Sequence, residues 1–176
     1  MSSEVSPNTV VLRTALRFGV GAGVLCTAWI AGLLLLGNDP FGPKRLMVIF
    51  VPPLAVIASQ WFLKRYFQPE GPGLKRAIGT GVLTAVIAAS LSGLGVYGLA
   101  QVAGPEQVEK SKAAMLKIAE GSRADFLRQP GGKEQYERTI QGLRAVNAQG
   151  LAADDFMKKL LFGLLLSFPG GIFLRR

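Results

Sequence analysis

Twenty-seven consecutive residues, Ala77 to Ala103, carry no charged side chain and follow directly on the basic pair Lys75-Arg76. An α-helix needs about 20 apolar residues to cross the hydrocarbon core of a bilayer, so this run is long enough to span one. Three further apolar blocks accompany it. The first runs over about 12–36, with an uncharged core from Phe18 to Leu36, and stops at Gly37-Asn38-Asp39-Pro40, which is turn chemistry. The second covers 46–63, and the fourth covers about 154–174, with Asp154 as its expected N-cap and Lys158 and Lys159 one turn inside. Only Leu160 to Leu174 is uncharged in that last block, so both lysines are expected to snorkel toward the interface. The expected fold class is all-α: a polytopic membrane protein of four transmembrane helices, with an extramembrane helical hairpin at 104–153 between spans three and four.

Composition narrows the function classes. The 176 residues are 49% hydrophobic and carry a formal charge of +9, but the Lys and Arg residues sit mostly as pairs at the ends of apolar blocks. That placement suits span flanks and anionic headgroups rather than a nucleic-acid-binding face, so no nucleic-acid partner is expected. With no His and one Cys, the chain cannot assemble a typical zinc, haem or redox centre, and no cofactor, metal or catalytic residue is expected. Cys26 lies inside the first block, where it reads as a small packing residue. Val24 and Leu25 before it do not suit a lipoprotein site. Arg13 and Arg17 ahead of a near-spanning apolar run point to an uncleaved anchor.

Basic residues also set the expected orientation. With both termini in the cytoplasm, the short inner segments hold Arg13, Arg17, Lys64, Arg65, Lys75, Arg76, Arg175 and Arg176, against Lys44 and Arg45 in the short outer loop. That excess favours both termini in the cytoplasm, which in a bacterial inner membrane, the expected location, leaves the 104–153 segment outside. Within the segment, Pro105 suits a helix start and Gly121 a stop. A second helix is expected from Lys133 to about Asn147, with Tyr136, Ile140, Leu143 and Val146 on one face. Such a pair of helices can pack on itself, offer a protein interface or lie on lipid.

Small residues recur at helical spacing along two spans: Gly81, Ala85, Ala89 and Gly93 in the third, Gly19 and Gly23 and then Ala28 and Gly32 in the first. Such stripes let helix backbones approach closely, whether inside one bundle or between subunits. Pro52 and Pro53 are expected to kink the second span, either as a packing bend or as a break lining a cavity, and Pro169 to weaken the fourth. The reading leaves the middle of every span without an ionisable residue, which argues against an ion-coupled carrier. Ser167 has no neighbouring base to activate it. Asp154, Asp155 and the acids of the 104–153 segment read as solvated ion pairs.

The order of parts resembles the small bacterial membrane proteins of the domain-of-unknown-function 4199 family. The resemblance rests on the Gly-rich entry Leu16-Arg17-Phe18-Gly19-Val20-Gly21-Ala22-Gly23 and the basic-aromatic exit Lys64-Arg65-Tyr66. It continues in Gly71-Pro72-Gly73-Leu74-Lys75-Arg76-Ala77-Ile78-Gly79-Thr80-Gly81, the charged helix from Pro105, and the closing Arg175-Arg176. It implies architecture and no activity. The function expected from all of this is a non-enzymatic accessory or scaffold subunit of a membrane assembly, in contact with lipid and with other membrane subunits or copies of itself. A small homo-oligomeric transporter or channel is the alternative.

Overall fold

The structure, a computed structural model, describes residues 6–175, so the expected topology-setting Arg176 lies outside them. Helix α1 spans Pro7–Leu35; the Ser6 hydroxyl caps it by accepting the Thr9 N–H, so it opens earlier than the apolar run. A 3-10 helix, Pro43–Phe50, leads without a gap into α2, Val51–Tyr66. Pro52 and Pro53 therefore occupy the first turn of α2 instead of bending its middle. There a proline's fixed φ suits the start of an α-helix, and the change of helix type falls just before the pair.

Helix α3, Leu74–Gly121, turns sharply at Gly104, whose φ of 82° and ψ of 164° break the helical path just before Pro105. Only the part before Gly104 is apolar. Two short helices follow, α4 over Arg123–Leu127 and α5 over Gly132–Arg144, separated by Gly131 at φ 72°. Helix α6 spans Ala148–Phe173 and runs through Pro169. Its N-cap is Asn147, whose side chain accepts the Gly150 N–H at 2.8 Å, so the cap falls seven residues before the expected Asp154. Four helical runs, Pro7–Leu35, Pro43–Tyr66, Leu74–Gly121 and Ala148–Phe173, are long and apolar enough to cross a membrane. No strand occurs among the described residues.

Helix α3 lies at the centre of the bundle. A side chain on Gly19 or Gly23 of α1 would strike Ile87 or Leu91 of α3, and one on Gly163 or Gly171 of α6 would strike Ala85 or Ile78. Backbones meet at these points because one partner has no Cβ, as close helix packing in lipid requires. The α3 stripe Gly81, Ala85, Ala89 and Gly93 is buried, with Gly81 against Gln60 and Ser167 and Gly93 against Ala152 and Phe156. In α1 the buried face instead runs Ala15, Gly19, Ala22, Gly23, Cys26, Ile30 and Leu33. Ala28 is exposed and Gly32 has open space where its side chain would be. The five-residue step from Gly23 to Ala28 turns about 140° around the helix, which takes the second pair off the packing face.

Arg13, Arg17, Lys64, Arg65, Lys75, Arg76 and Arg175 gather at one end of the bundle. There the Gly73 N–H donates to the Arg175 carbonyl at 3.1 Å, and Arg17 and Arg76 sit over the rings of Phe62 and Phe67. The opposite end is closed by an apolar plug of Ile30, Phe41, Val96, Ala100, Val108 and Leu151. The polar helices rest on this end. The Ser111 hydroxyl bonds the Asp39 carboxylate, which also accepts the Phe41 N–H at 3.0 Å, and Phe126 meets Tyr136 edge-on.

Candidate functional site

Because α6 begins at Ala148, two charged residues expected near its start lie well inside it. Asp155 and Lys159 fall seven and eleven residues along the helix, about 10 and 16 Å from its first residue. Their spacing of four puts both on one face, and that face looks into the bundle: Asp155 is 4% and Lys159 2% exposed. Facing them from α3 is Ser92, fully buried and one residue from the small-residue stripe. The sparing of side-chain volume at Gly93 lets α6 approach closely enough for Ser92 to reach across.

The three groups form a closed ring. Lys159 Nζ donates to both Asp155 oxygens at 2.8 Å and to Ser92 Oγ at 2.5 Å, while Ser92 Oγ donates to Asp155 Oδ2 at 2.7 Å. An ammonium group has three protons, and these three acceptors take them all. Charges in a low-dielectric interior are tolerated when paired and hydrogen-bonded in this way. The Cys26 thiol of α1 lies beside Ser92 and Lys159, and its Sγ reaches the Val48 carbonyl of the 3-10 helix at 3.7 Å. Helices α1, α3 and α6 and the 3-10 helix thus converge on one polar point. Lys159 does not snorkel, and Asp155 is not a solvated ion-pair member; both ionisable residues are sealed inside the bundle.

A second polar layer lies nearer the cationic end. Gln60 of α2, fully buried, donates its amide to the Ala77 carbonyl of α3 at 3.1 Å and to the Ser167 carbonyl of α6 at 2.8 Å, tying three helices together. Its Oε1 has no hydrogen-bond partner and rests against Gly170. Thr84 bonds Ser59 across α2 and α3 at 3.0 Å, and Ser167 Oγ donates to the Ile78 carbonyl at 3.2 Å. Ser167 therefore serves helix association, as interhelical hydroxyls commonly do.

The third site lies at the plugged end. Arg45 of the 3-10 helix, 5% exposed, donates to Asp154 Oδ2 at 2.8 Å and to the Leu151 carbonyl at 3.4 Å. Lys158 donates to the same Asp154 oxygen at 2.8 Å. These side chains border a cleft of about 390 Å³ whose other walls include Leu46, Met115, Arg138, Leu143 and Val146. The sequence flagged Arg45 only as a loop charge; its burial follows from the 3-10 turn, which hydropathy does not distinguish from α-helix.

The family model described as "Protein of unknown function (DUF4199)" matches residues 17–176. No curated protein and no solved structure matches the chain. A match over nearly the whole length, on a fold of four apolar helices, makes this chain a member of the DUF4199 family.

Proposed function

We propose that the protein is a non-enzymatic accessory or scaffold subunit of a bacterial inner-membrane assembly. The observation that carries this reading is the saturation of Lys159: its three protons go to Asp155 and Ser92, so the buried charges clamp α6 to α3 and none is held ready for a substrate. Close Gly contacts along α1, α3 and α6 support the same picture of a locked bundle. What such a bundle offers other proteins is its surface. On this reading the polar helices beyond Gly104 lie outside the cytoplasm, the side favoured by the basic residues at the opposite end, and they expose Ile118 and Leu127.

Crosslinking in intact membranes, then mild-detergent purification and mass spectrometry, tests this. Stoichiometric larger membrane proteins crosslinked through residues 105–144 are the expected result. Recovery of the chain only with copies of itself would instead favour the homo-oligomeric transporter or channel. One observation supports that second reading: an Asp-Lys pair sealed inside the bundle is the kind of group that ion-coupled carriers use.

A further inference from the structure

The cleft between the 3-10 helix, α5 and the first turns of α6 has an unbalanced charge. Arg45, Arg138 and Lys158 border it with one carboxylate, Asp154, and Arg138 also pairs with Glu134 beside the cleft, so one positive charge stays in excess. One Asp154 oxygen is shared between Arg45 and Lys158 at 2.8 Å each. Arg45 has five N–H donors, of which Asp154 and the Leu151 carbonyl take two, and Lys158 has three, of which Asp154 takes one. The remaining donors suit an oxyanion with several acceptor oxygens, and guanidinium and ammonium groups together are the usual means of holding phosphate.

The rest of the cleft is apolar: Phe41, Leu46, Met115, Leu143, Val146 and Leu151. Leu46 is half-exposed, and further along the same run Phe50 and Leu54, about one α-helical turn apart, are 63% and 64% exposed. On α6, Leu161 and Leu165 beyond Lys158 are likewise exposed. The cationic walls thus stand at the head of an apolar surface that faces the hydrocarbon in a spanning helix. A soluble anion would use only the first half of this arrangement; an amphiphile uses both.

We propose that this cleft binds the phosphate headgroup of an anionic phospholipid, with an acyl chain along the exposed Leu46, Phe50 and Leu54 side. The site is independent of whether the polar helices dock a protein partner. Purified protein in a neutral detergent is titrated with phosphatidylglycerol, phosphatidylcholine or inorganic phosphate, reading the melting temperature and lipid retention by native mass spectrometry. Phosphatidylglycerol is expected to raise the melting temperature and to remain bound where phosphatidylcholine does not. The pair Arg138→Gln and Lys158→Gln, both exposed and so compatible with folding, should weaken phosphatidylglycerol binding about tenfold or more, since each cation near a lipid surface adds appreciably to attraction. Lys75→Gln with Arg76→Gln, at the other end of the bundle, should leave it unchanged. Equal effects of the two lipids, or equal losses from the two double variants, would overturn the proposal. So would inorganic phosphate reproducing the whole effect, which would make the ligand a soluble anion.

Discussion

Replacing Lys159 with Met leaves Asp155 buried without the ammonium that neutralises it, and orphaning one member of such a pair costs about 3–5 kcal/mol. The detergent-solubilised variant should therefore melt well below the wild type. Replacing both charges, Asp155→Leu with Lys159→Met, removes the orphan and should recover most of that loss; a double variant no better than the single one would mean that the lost pair, not the orphaned charge, sets the cost. Gln60 is a milder case. Gln60→Ala removes two interhelical hydrogen bonds at a buried junction and should cost about 1–3 kcal/mol in the same melting assay. Neither role was legible from residue types alone. Lys158 and Lys159 are adjacent and alike in sequence, yet one is half-exposed and the other sealed, because a single residue step turns the side chain about 100° around the helix.

Among elements, the α3 stripe was readable because one repeat of four is close to a helical turn, and it is buried along its length from Gly81 to Gly93. The same spacing misled in α1, where Ala28 and Gly32 share a face with each other but not with Gly19 and Gly23. This difference is measurable. Gly163→Ala places a methyl 2.7 Å from the Ala85 Cβ and should destabilise the bundle by about 1–3 kcal/mol through overpacking. Gly32→Ala meets nothing within 4 Å and should be neutral or slightly stabilising, since Gly is the poorer helix former. Boundaries were less legible than spans. The start of α6 depends on the Asn147 side chain finding the Gly150 N–H, a local capping bond that the charge pattern around Asp154 obscured. The proline pair shows a similar limit: hydropathy runs smoothly from Leu46 to Leu63 although the helix type changes just before Pro52.

For the whole molecule, the gathering of seven described basic residues at one end leads to a directional prediction. In a Cys26→Ala background, a cysteine at Lys133 in α5 should react with a membrane-impermeant maleimide added to intact spheroplasts, and one at Gln68 between α2 and α3 only after lysis. The reverse pattern would invert the orientation. The buried clamp bears on how this shape is reached. The fourth apolar helix has the lowest mean hydropathy of the four, 1.4 against 1.8 to 2.0, since Lys158 and Lys159 fall in its apolar stretch, and Asp155 stands just ahead of it. Charges on an isolated helix oppose entry into lipid by about 2.5–3.5 kcal/mol each near its centre. Helix α6 follows α3 in synthesis, so Ser92 and the glycine-lined face of α3 can receive its charges as it enters. A variant that blocks this face, Gly93→Leu, is therefore expected to leave α6 open to added protease while the first three spans stay protected.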